Sequence, residues 1–519
     1  MTFKSFLSFV TMCILIVTLM AQIAIESTTN NIVSCLIITL TTVITLAYLY
    51  CTDSYAKTPI SAVALIILLF SGIFGALLFQ TLFWNPVTKY LYDPINTFSK
   101  LSFYLLIAIS SHYLYSSLFH TKQYKNKYNK EYIKEILIKI GLYNIPSVKS
   151  VWTLSILGLA AMILGKILPG TVGRLILNFH FLMWFPFFIL FYIYKFGKDY
   201  AHKESQKLYI SIYFVLIVIV GIAFNSRGLI VAGLVNLFLT STIVLLSNNE
   251  KFNMSFYIKI SFLLVIMLSL LKPLSSFSDA MLDARSERSN LSPTEMLENT
   301  FDIYWNSTSQ ELVEKGKYVK DRIYTDYDED YIENGILTRF VLTKFHDNAY
   351  NYASKLSEQG KFEVRQQIKH KIIAVLPQPI IDILGIELNK LEIMKSTMDI
   401  MVHETTGRRL GGLKVSSAFV DLEIVFGYFS PIVFFFLALI FFKIIEFFGN
   451  NWKSYGFAIV FPLFALASEF LLFLLPIKGI IGVANLLLRE FIENVLIFCI
   501  LTYIISFAIR PYKIYTGNN

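Results

Sequence analysis

Long apolar stretches separated by short polar ones dominate the 519 residues of the chain. A helix needs about 20 apolar residues to cross a hydrocarbon core of roughly 30 Å, and the pattern predicts about twelve such spans. They cover approximately residues 6–24, 31–50, 60–83, 101–119, 151–167, 177–196, 208–224, 228–247, 255–271, 416–442, 455–476 and 483–507. The pattern therefore predicts an all-α polytopic membrane protein.

One long polar stretch, residues 272–415, separates the ninth predicted span from the tenth. It is too long for a simple connector. Within it, apolar residues recur at three- and four-residue intervals over 295–305, 348–356 and 361–376, which predicts helices. The predicted parts are spans one to nine (1–271), a mostly helical outer loop domain (272–415), and spans ten to twelve with a short tail (416–519).

Composition and charge agree with this layout. A chain with 55% hydrophobic and 16% charged residues is too apolar for a soluble protein of this length. Residues 272–415 contain 19 Lys and Arg against 22 Asp and Glu, which leaves 26 basic and 14 acidic residues elsewhere. The basic excess therefore belongs to the membrane part, and it does not indicate a nucleic-acid partner.

Lysines are concentrated in two connections, 122–149 and 195–207, which lie two spans apart. Basic residues favour the cytoplasmic side of a membrane. Alternating from these connections, we expect both termini in the cytoplasm and residues 272–415 on the outer side.

Arginines at the predicted outer ends of spans are the strongest chemical signal, because the charge bias disfavours them there and a guanidinium group grips phosphate with two parallel hydrogen bonds. Contact with lipid headgroups is the alternative interpretation. The set is Arg174, Arg227, Arg285, Arg288, Arg408 and Arg409. Arg489, in the last span, either pairs with Glu493 four residues later or faces a wet cavity.

Five side chains near the predicted outer surface are candidates for a general base: His403, Glu404, Asp283, Asp421 and Glu423. A solvated polar side chain is the alternative for each of them. The chain has no P-loop, no dinucleotide-binding glycine turn, no HExxH and no Cys/His metal spacing. We therefore expect neither a cofactor nor a metal site.

Several segments together resemble one family. NSRGLIVAGLVNLFL, which contains Arg227, resembles the arginine turn of O-antigen polymerases (Wzy) and of the related O-antigen ligases. GRLILNFHFLMWFPFFILFYIY, led by Arg174, resembles a span of the enterobacterial common antigen polymerase. SSAFVDLEIVFGYFSPIVFFFLALI resembles the entry to a late span of the family, LLLREFIENVLIF its arginine-containing last span, and IIAVLPQPII the end of its large loop.

The resemblance implies an enzyme of the bacterial inner membrane that needs no metal. Such an enzyme transfers a growing glycan from undecaprenyl diphosphate to a sugar hydroxyl of another lipid-linked repeat unit. Its expected partners are this lipid-linked oligosaccharide, the membrane lipids and a chain-length regulator.

The resemblance also suggests roles for individual residues. Arg227 and Arg489 would bind the diphosphate, with Arg174 as a third ligand and Arg285 or Arg288 as contacts from the loop. The roles of Arg408 and Arg409 stay open. His403, Glu404 and Asp421 are the candidates for the base at the acceptor hydroxyl.

Three other functions fit parts of the pattern. An O-antigen ligase shares the architecture and the donor. A polyprenyl-phosphate-sugar-dependent glycosyltransferase usually carries an acidic pair in its first outer loop, where this chain has only Glu26. A flippase or transporter of lipid-linked sugars would not need a large outer loop, so the loop favours an enzyme.

Overall fold

The structure is a computed structural model of the chain. It describes residues 2–120, 146–197, 200–247, 251–285, 291–306, 327–334, 337–376, 378–388, 396–408, 410, 414, 416–446, 449–452, 456–459 and 479–508. This part of the chain is mainly helical and contains seven helices that are long and apolar enough to cross a membrane. The chain is therefore a helical membrane protein, as its hydrophobic pattern predicts.

The helices of the first 306 residues are as follows: α1 (Phe3–Ile25), α2 (Thr29–Cys51), α3 (Ser54–Lys57), α4 (Pro59–Leu69), a π-helix (Phe70–Phe74), α5 (Gly75–Leu82), α6 (Pro94–His120), α7 (Val148–Ile167), α8 (Gly170–Leu177), a 3₁₀-helix (His180–Trp184), α9 (Pro186–Phe196), α10 (Lys203–Ala223), α11 (Arg227–Ser247), α12 (Met254–Ala284) and α13 (Pro293–Asn306).

The remaining elements are a 3₁₀-helix (Leu337–Arg339), α14 (Thr343–Ser354), α15 (Glu358–Ala374), α16 (Gln378–Ile383), α17 (Thr397–Thr406), α18 (Ala418–Phe426), a 3₁₀-helix (Gly427–Phe429), α19 (Ser430–Glu446), β1 (Gly449–Trp452), β2 (Gly456–Ile459), α20 (Gly479–Asn485), a π-helix (Leu486–Glu490) and α21 (Phe491–Ala508). The three helices predicted within the polar loop are confirmed as α13, α14 and α15.

The chain folds into two compact units. The first comprises Met1–Lys127, Tyr327–Glu446 and Phe470–Glu493, and the second comprises Tyr128–Asp326, Phe447–Glu469 and Asn494–Asn519. The predicted outer loop is thus divided, because its later part, from Tyr327 onward, folds with the N-terminal helices.

Polar side chains join the helix ends of the first unit. At one end, Nε2 of Gln22 donates to the carbonyl oxygen of Asn85 at 2.8 Å, and the backbone N–H of Val87 donates to Oδ1 of Asn31 at 3.0 Å. At the other end of these helices, Nδ1 of His112 lies 2.7 Å from the hydroxyl oxygen of Tyr48. The four long helices α1, α2, the continuous helix Pro59–Leu82 and α6 therefore alternate in direction.

The start of α14 is inserted deep into this first unit. The backbone N–H of Leu342 donates to the carbonyl oxygen of Ser71 at 2.7 Å, and Oγ1 of Thr343 donates to that of Gly72 at 2.9 Å. Both acceptors lie in the Phe70–Phe74 π-helix, halfway along Pro59–Leu82. π-helical turns are often found at functional sites. Here the altered turn presents two carbonyl groups to the inserted segment.

The second unit is packed tightly around α7. A Cβ atom added at Gly158 would overlap the backbone of Met183, so α7 lies directly on the 3₁₀-helix that contains this methionine. The hydroxyl of Tyr213, in α10, donates to the carbonyl oxygens of Ser155 at 3.0 Å and Met183 at 3.1 Å. These bonds join three predicted spans.

The helix of the ninth span continues past the predicted boundary at residue 271 and ends at Ala284. The reason is that apolar residues continue to recur at helical spacing beyond residue 271. Ala280, Met281 and Ala284 recur at helical spacing and are buried. Pro273 lies inside the helix without ending it.

The start of the predicted eleventh span, 455–476, differs from the prediction. Gly456–Ile459 forms a strand that pairs antiparallel with Gly449–Trp452, with Gly449 opposite Ile459. Glycine and asparagine are poor helix formers, and the segment before the span contains Gly449, Asn450 and Asn451. Residues 460–478 of the predicted span lie outside the described residues.

Asp347 fastens α14 to the start of α6, which leads to a stability prediction. Its buried carboxylate accepts from the backbone N–H groups of Tyr92 at 2.8 Å and Asp93 at 3.1 Å, and from Oγ1 of Thr97 at 3.1 Å. It also lies 3.3 Å from Nζ of Lys344, which is 3% exposed.

We expect Asp347→Asn to lower the free energy of unfolding by about 3–5 kcal/mol, because it leaves a buried ammonium group without its counter-ion. Thermal unfolding of the purified protein in detergent measures this loss. Asp93→Asn is the control, because asparagine caps a helix as well as aspartate does. Equal melting temperatures for the two variants would contradict the assignment.

Candidate functional site

Asp421, a predicted base, is completely buried at the start of α18. Its Oδ1 accepts from Oγ of Ser416 at 2.8 Å, and its Oδ2 accepts from the backbone N–H of Ile480 at 3.1 Å. A Cβ atom added at Gly479 would overlap Oδ2, and Gly479 has a φ of +67°, so only glycine fits here. Asp421 thus fixes the point where α20 begins, ten residues before Arg489.

Three other buried charged side chains belong to the same network. Nζ of Lys414 lies 3.2 Å from Oδ1 of Asp399, and their side chains are 6% and 0% exposed. Burial lowers the pKa of Lys371 to about 8, and the negative charges of Asp421 and Asp399 oppose that shift. Two lysines and two aspartates balance in charge, which is the condition for keeping them among apolar helices.

His346 borders this network, and it is more central than its position in the loop sequence suggests. Its Nδ1 lies 2.8 Å from Oγ of Ser417, and its ring stacks on Phe419 at a centroid distance of 5.3 Å. Phe419 in turn stacks on Tyr104 at 4.5 Å. Burial lowers the pKa of His346 to about 3, so the imidazole is neutral near pH 7.

The other candidate bases lie in different surroundings. His403 contacts the carbonyl oxygen of Arg408 through Nδ1, which closes the end of α17. Glu404 is exposed on the same helix, and Asp283 is partly buried near the end of α12. Glu423 pairs with Lys100 at 3.0 Å. Within the described residues, no group of three or more His, Cys, Asp or Glu could hold a metal ion.

Arg489 lies in the Leu486–Glu490 π-helix of the first unit. Its Nε donates to Oε1 of Glu493 at 2.8 Å, so the predicted pairing is present. The side chain nevertheless remains 46% exposed. The carboxylate therefore orients the guanidinium group without burying it.

Two of the predicted arginine segments meet in the second unit. Asn225 opens the turn before Arg227 with a φ of 48°. Its buried Nδ2 donates to the carbonyl oxygen of Met281 at 2.8 Å. Met281 is one helical turn before Arg285, which is exposed at the end of α12. The backbone at Arg227 is thus fastened beside the helix end that carries Arg285.

The remaining arginines are placed separately. Arg174 is exposed on α8, in the second unit, and Arg408 is partly buried after α17, in the first. The side chain of Arg227 and the whole of Arg288 and Arg409 lie outside the described residues. The expectation that all these arginines converge on one substrate stays a prediction.

Lys371, Asp399 and Lys414 were missed by sequence reasoning, because each stands in an ordinary polar segment. A weak signal was present for Lys371, which shares the apolar stripe of α15 with Val364 and Ile368. A lysine on the buried face of a helix requires a partner. The two aspartates that supply it come from 28 and 50 residues farther along the chain.

The neutral, buried state of His346 gives a pH prediction. Its folded-state pKa lies below the ordinary value of 6.5, so below about pH 6.5 the unfolded chain binds a proton that the folded protein does not. We expect the free energy of unfolding to fall as the pH falls from about 6.5 toward 3. In His346→Asn, the contribution of this histidine to the fall should be absent. Unfolding measured in detergent at several pH values tests it.

His370→Asn is the control, because this histidine is exposed on α15. Removing it should leave the pH dependence close to that of the wild type. A pH dependence that is the same in wild type and His346→Asn would contradict the assignment.

Comparison of the chain with protein-family models, with curated proteins and with solved structures finds no match.

Proposed function

We propose that this chain is a glycosyltransferase of the bacterial inner membrane that polymerises lipid-linked oligosaccharide repeat units. It would transfer a growing glycan from undecaprenyl diphosphate to a sugar hydroxyl of a second lipid-linked unit. The observation that carries the proposal is the bond from Asn225 to Met281, which holds the turn before Arg227 beside the end of α12, where Arg285 lies. Two arginines carried on these segments would suit a diphosphate better than a single phosphate.

The reaction needs charge stabilisation more than it needs covalent catalysis. The acceptor hydroxyl attacks the anomeric carbon, the bond from this carbon to the diphosphate oxygen breaks, and the leaving diphosphate takes the electron pair. Guanidinium groups stabilise the charge that develops on the leaving group. A base takes the hydroxyl proton. His403 and Glu404 are the better candidates for this step, because both oxygens of Asp421 are already engaged within the protein.

We also propose the orientation that this reaction requires. The chain would cross the membrane about twelve times, with both termini in the cytoplasm and the segment after α12 on the outer side. Lys4 and Asp53, which pair at 2.8 Å, would then lie at the cytoplasmic end of the first unit. The inserted α14 would enter from the outer end.

Cysteine labelling tests this orientation. With the native cysteines replaced by serine, we expect Glu358→Cys to react with a membrane-impermeant maleimide in intact spheroplasts, because Glu358 is exposed at the start of α15. Lys57→Cys, at the opposite end of the first unit, should react only after permeabilisation. Labelling of Lys57→Cys in intact spheroplasts would contradict the proposed orientation.

Substitution of the arginines tests the function. In a strain without the native gene, we expect Arg227→Ala or Arg285→Ala to lower the yield of glycans longer than one repeat unit by about 100-fold, because each removes a donor to the developing charge. Arg227→Lys should recover only part of the yield, because it keeps the charge and loses the planar fork. Electrophoresis of the surface polysaccharide measures the chain lengths.

Arg339→Ala is the control, because Arg339 is exposed in the first unit and takes no part in the proposed site. All variants must be present in the membrane at the wild-type amount. An unchanged ladder of chain lengths in the gene deletion would refute the polymerase. Loss of every capped chain, including those with a single repeat, would indicate a ligase or flippase instead.

A further inference from the structure

A second polar cluster lies in the first unit, where α6 meets α18 and α19. Nζ of Lys100 lies 3.0 Å from Oε1 and 3.1 Å from Oε2 of Glu423. The hydroxyl of Tyr104 donates to the same Oε1 at 3.0 Å and lies 3.1 Å from Oγ of Ser430. The side chains of Lys100 and Glu423 remain 39% and 27% exposed, so a molecule outside the protein can reach the cluster.

Tyr350 borders the cluster with an unused polar group. The residue is 8% exposed, and its hydroxyl has no hydrogen-bond partner among the described residues. Nζ of Lys100 lies 5.8 Å from the centre of its ring, and burial, together with the charge of Glu423, raises the pKa of the phenol. Leaving a buried hydroxyl unpaired costs free energy. A bound ligand that hydrogen-bonds to it would remove this cost.

An exposed aromatic turn stands beside the same cluster. The helix breaks between Glu423 and Ser430 at Gly427, which has a φ of +53°. Next to this glycine, Tyr428 is 103% exposed and Phe429 is 69% exposed. The two residues that flank this turn, Glu423 and Ser430, belong to the cluster.

The charges of this cluster determine what it can bind. The ammonium group of Lys100 is compensated by the carboxylate of Glu423. The nearby Arg365, whose Nε donates to the carbonyl oxygen of Ile424 at 3.0 Å, adds one positive charge. A diphosphate carries more than one negative charge and calls for a larger excess of cations. Sugar hydroxyls both donate and accept, which matches a carboxylate, an ammonium group and phenols. The apolar C–H face of a sugar ring packs on aromatic side chains, which combine large contact areas with polar edges.

We propose that Lys100, Tyr104, Tyr350 and Glu423, with the aromatic turn at 426–429, form a binding site for an uncharged sugar ring. In the proposed polymerase this ring belongs to the acceptor glycan, and that identification rests on the proposed function. The hydroxyl of Tyr350 bonds to a sugar hydroxyl, the ion pair orients a second one, and Tyr428 covers the ring.

Binding of a lipid-free glycan tests the site directly. The probe is the dephosphorylated oligosaccharide released by mild acid from the host's own surface polysaccharide. Saturation-transfer NMR with the full-length protein in nanodiscs gives its Kd. We expect Tyr350→Phe to raise the Kd about fivefold, the effect of losing one hydrogen bond, and Tyr428→Ala to raise it at least as much. Inorganic pyrophosphate should not displace the probe.

Tyr113→Ala is the matched control, because Tyr113 is also an exposed tyrosine but lies farther along α6. Each variant must keep the wild-type melting temperature. No binding to the wild type, an unchanged Kd in both Tyr350→Phe and Tyr428→Ala, or displacement by pyrophosphate would each overturn the proposal.

The two proposals can fail separately. Arg227→Ala should bind the oligosaccharide as the wild type does, because it leaves the sugar cluster intact. If the gene deletion still makes long chains while the wild-type protein binds the oligosaccharide through Tyr350, the polymerase fails and the sugar site stands. If polymerisation is lost in the deletion but both Tyr350→Phe and Tyr428→Ala bind normally, the sugar site fails alone.

Discussion

A carboxylate among apolar helices must be compensated by donors, and this requirement organises the first unit. Asp347 meets it with two backbone N–H groups, a threonine and a lysine. Asp421 meets it with the hydroxyl of Ser416 and the backbone N–H of Ile480, and Asp399 meets it with Lys414. For Asp347 and Asp421, some of these donors lie far away in the sequence, at Tyr92 and at Ile480. The carboxylates therefore define where the helices of the later loop meet the predicted spans.

The structure gives Asp421 and Glu423 different surroundings, although the sequence makes both of them candidate bases. Asp421 looked like a candidate base because it lies at the entrance to a late span, but one of its carboxylate oxygens accepts from Ser416 and the other from the start of α20. It thereby sets the position of Arg489, whose guanidinium group remains partly exposed. Glu423, two residues later, pairs with Lys100, and its side chain remains partly exposed. Neighbouring acidic residues on one helix therefore have different surroundings and suit different roles.

The sequence predicts most of the helices well, because long apolar runs can be satisfied in a membrane only by helices. The three- and four-residue spacing of apolar residues also locates the helices of the loop, from α13 to α15. What it does not predict is the insertion of α14 beside the Phe70–Phe74 π-helix, since this depends on two carbonyl groups about 270 residues earlier in the chain. The sequence does not show that the charge of Lys371 is balanced by Asp399 and Asp421, because these residues are also distant along the chain. The arginines could be named from their positions, but the contact between the turn at Arg227 and the end of α12 depends on a single asparagine amide.

We propose that this chain joins lipid-linked sugar units. The most direct test of this proposal is reconstitution of the purified protein in liposomes that contain lipid-linked repeat units as the sole sugar substrate, followed by mass spectrometry of the glycans. We expect chains of two or more repeats to appear, together with one released undecaprenyl diphosphate for each bond formed. Glycans that stay at one repeat unit, in liposomes that contain correctly folded protein, would contradict the claim.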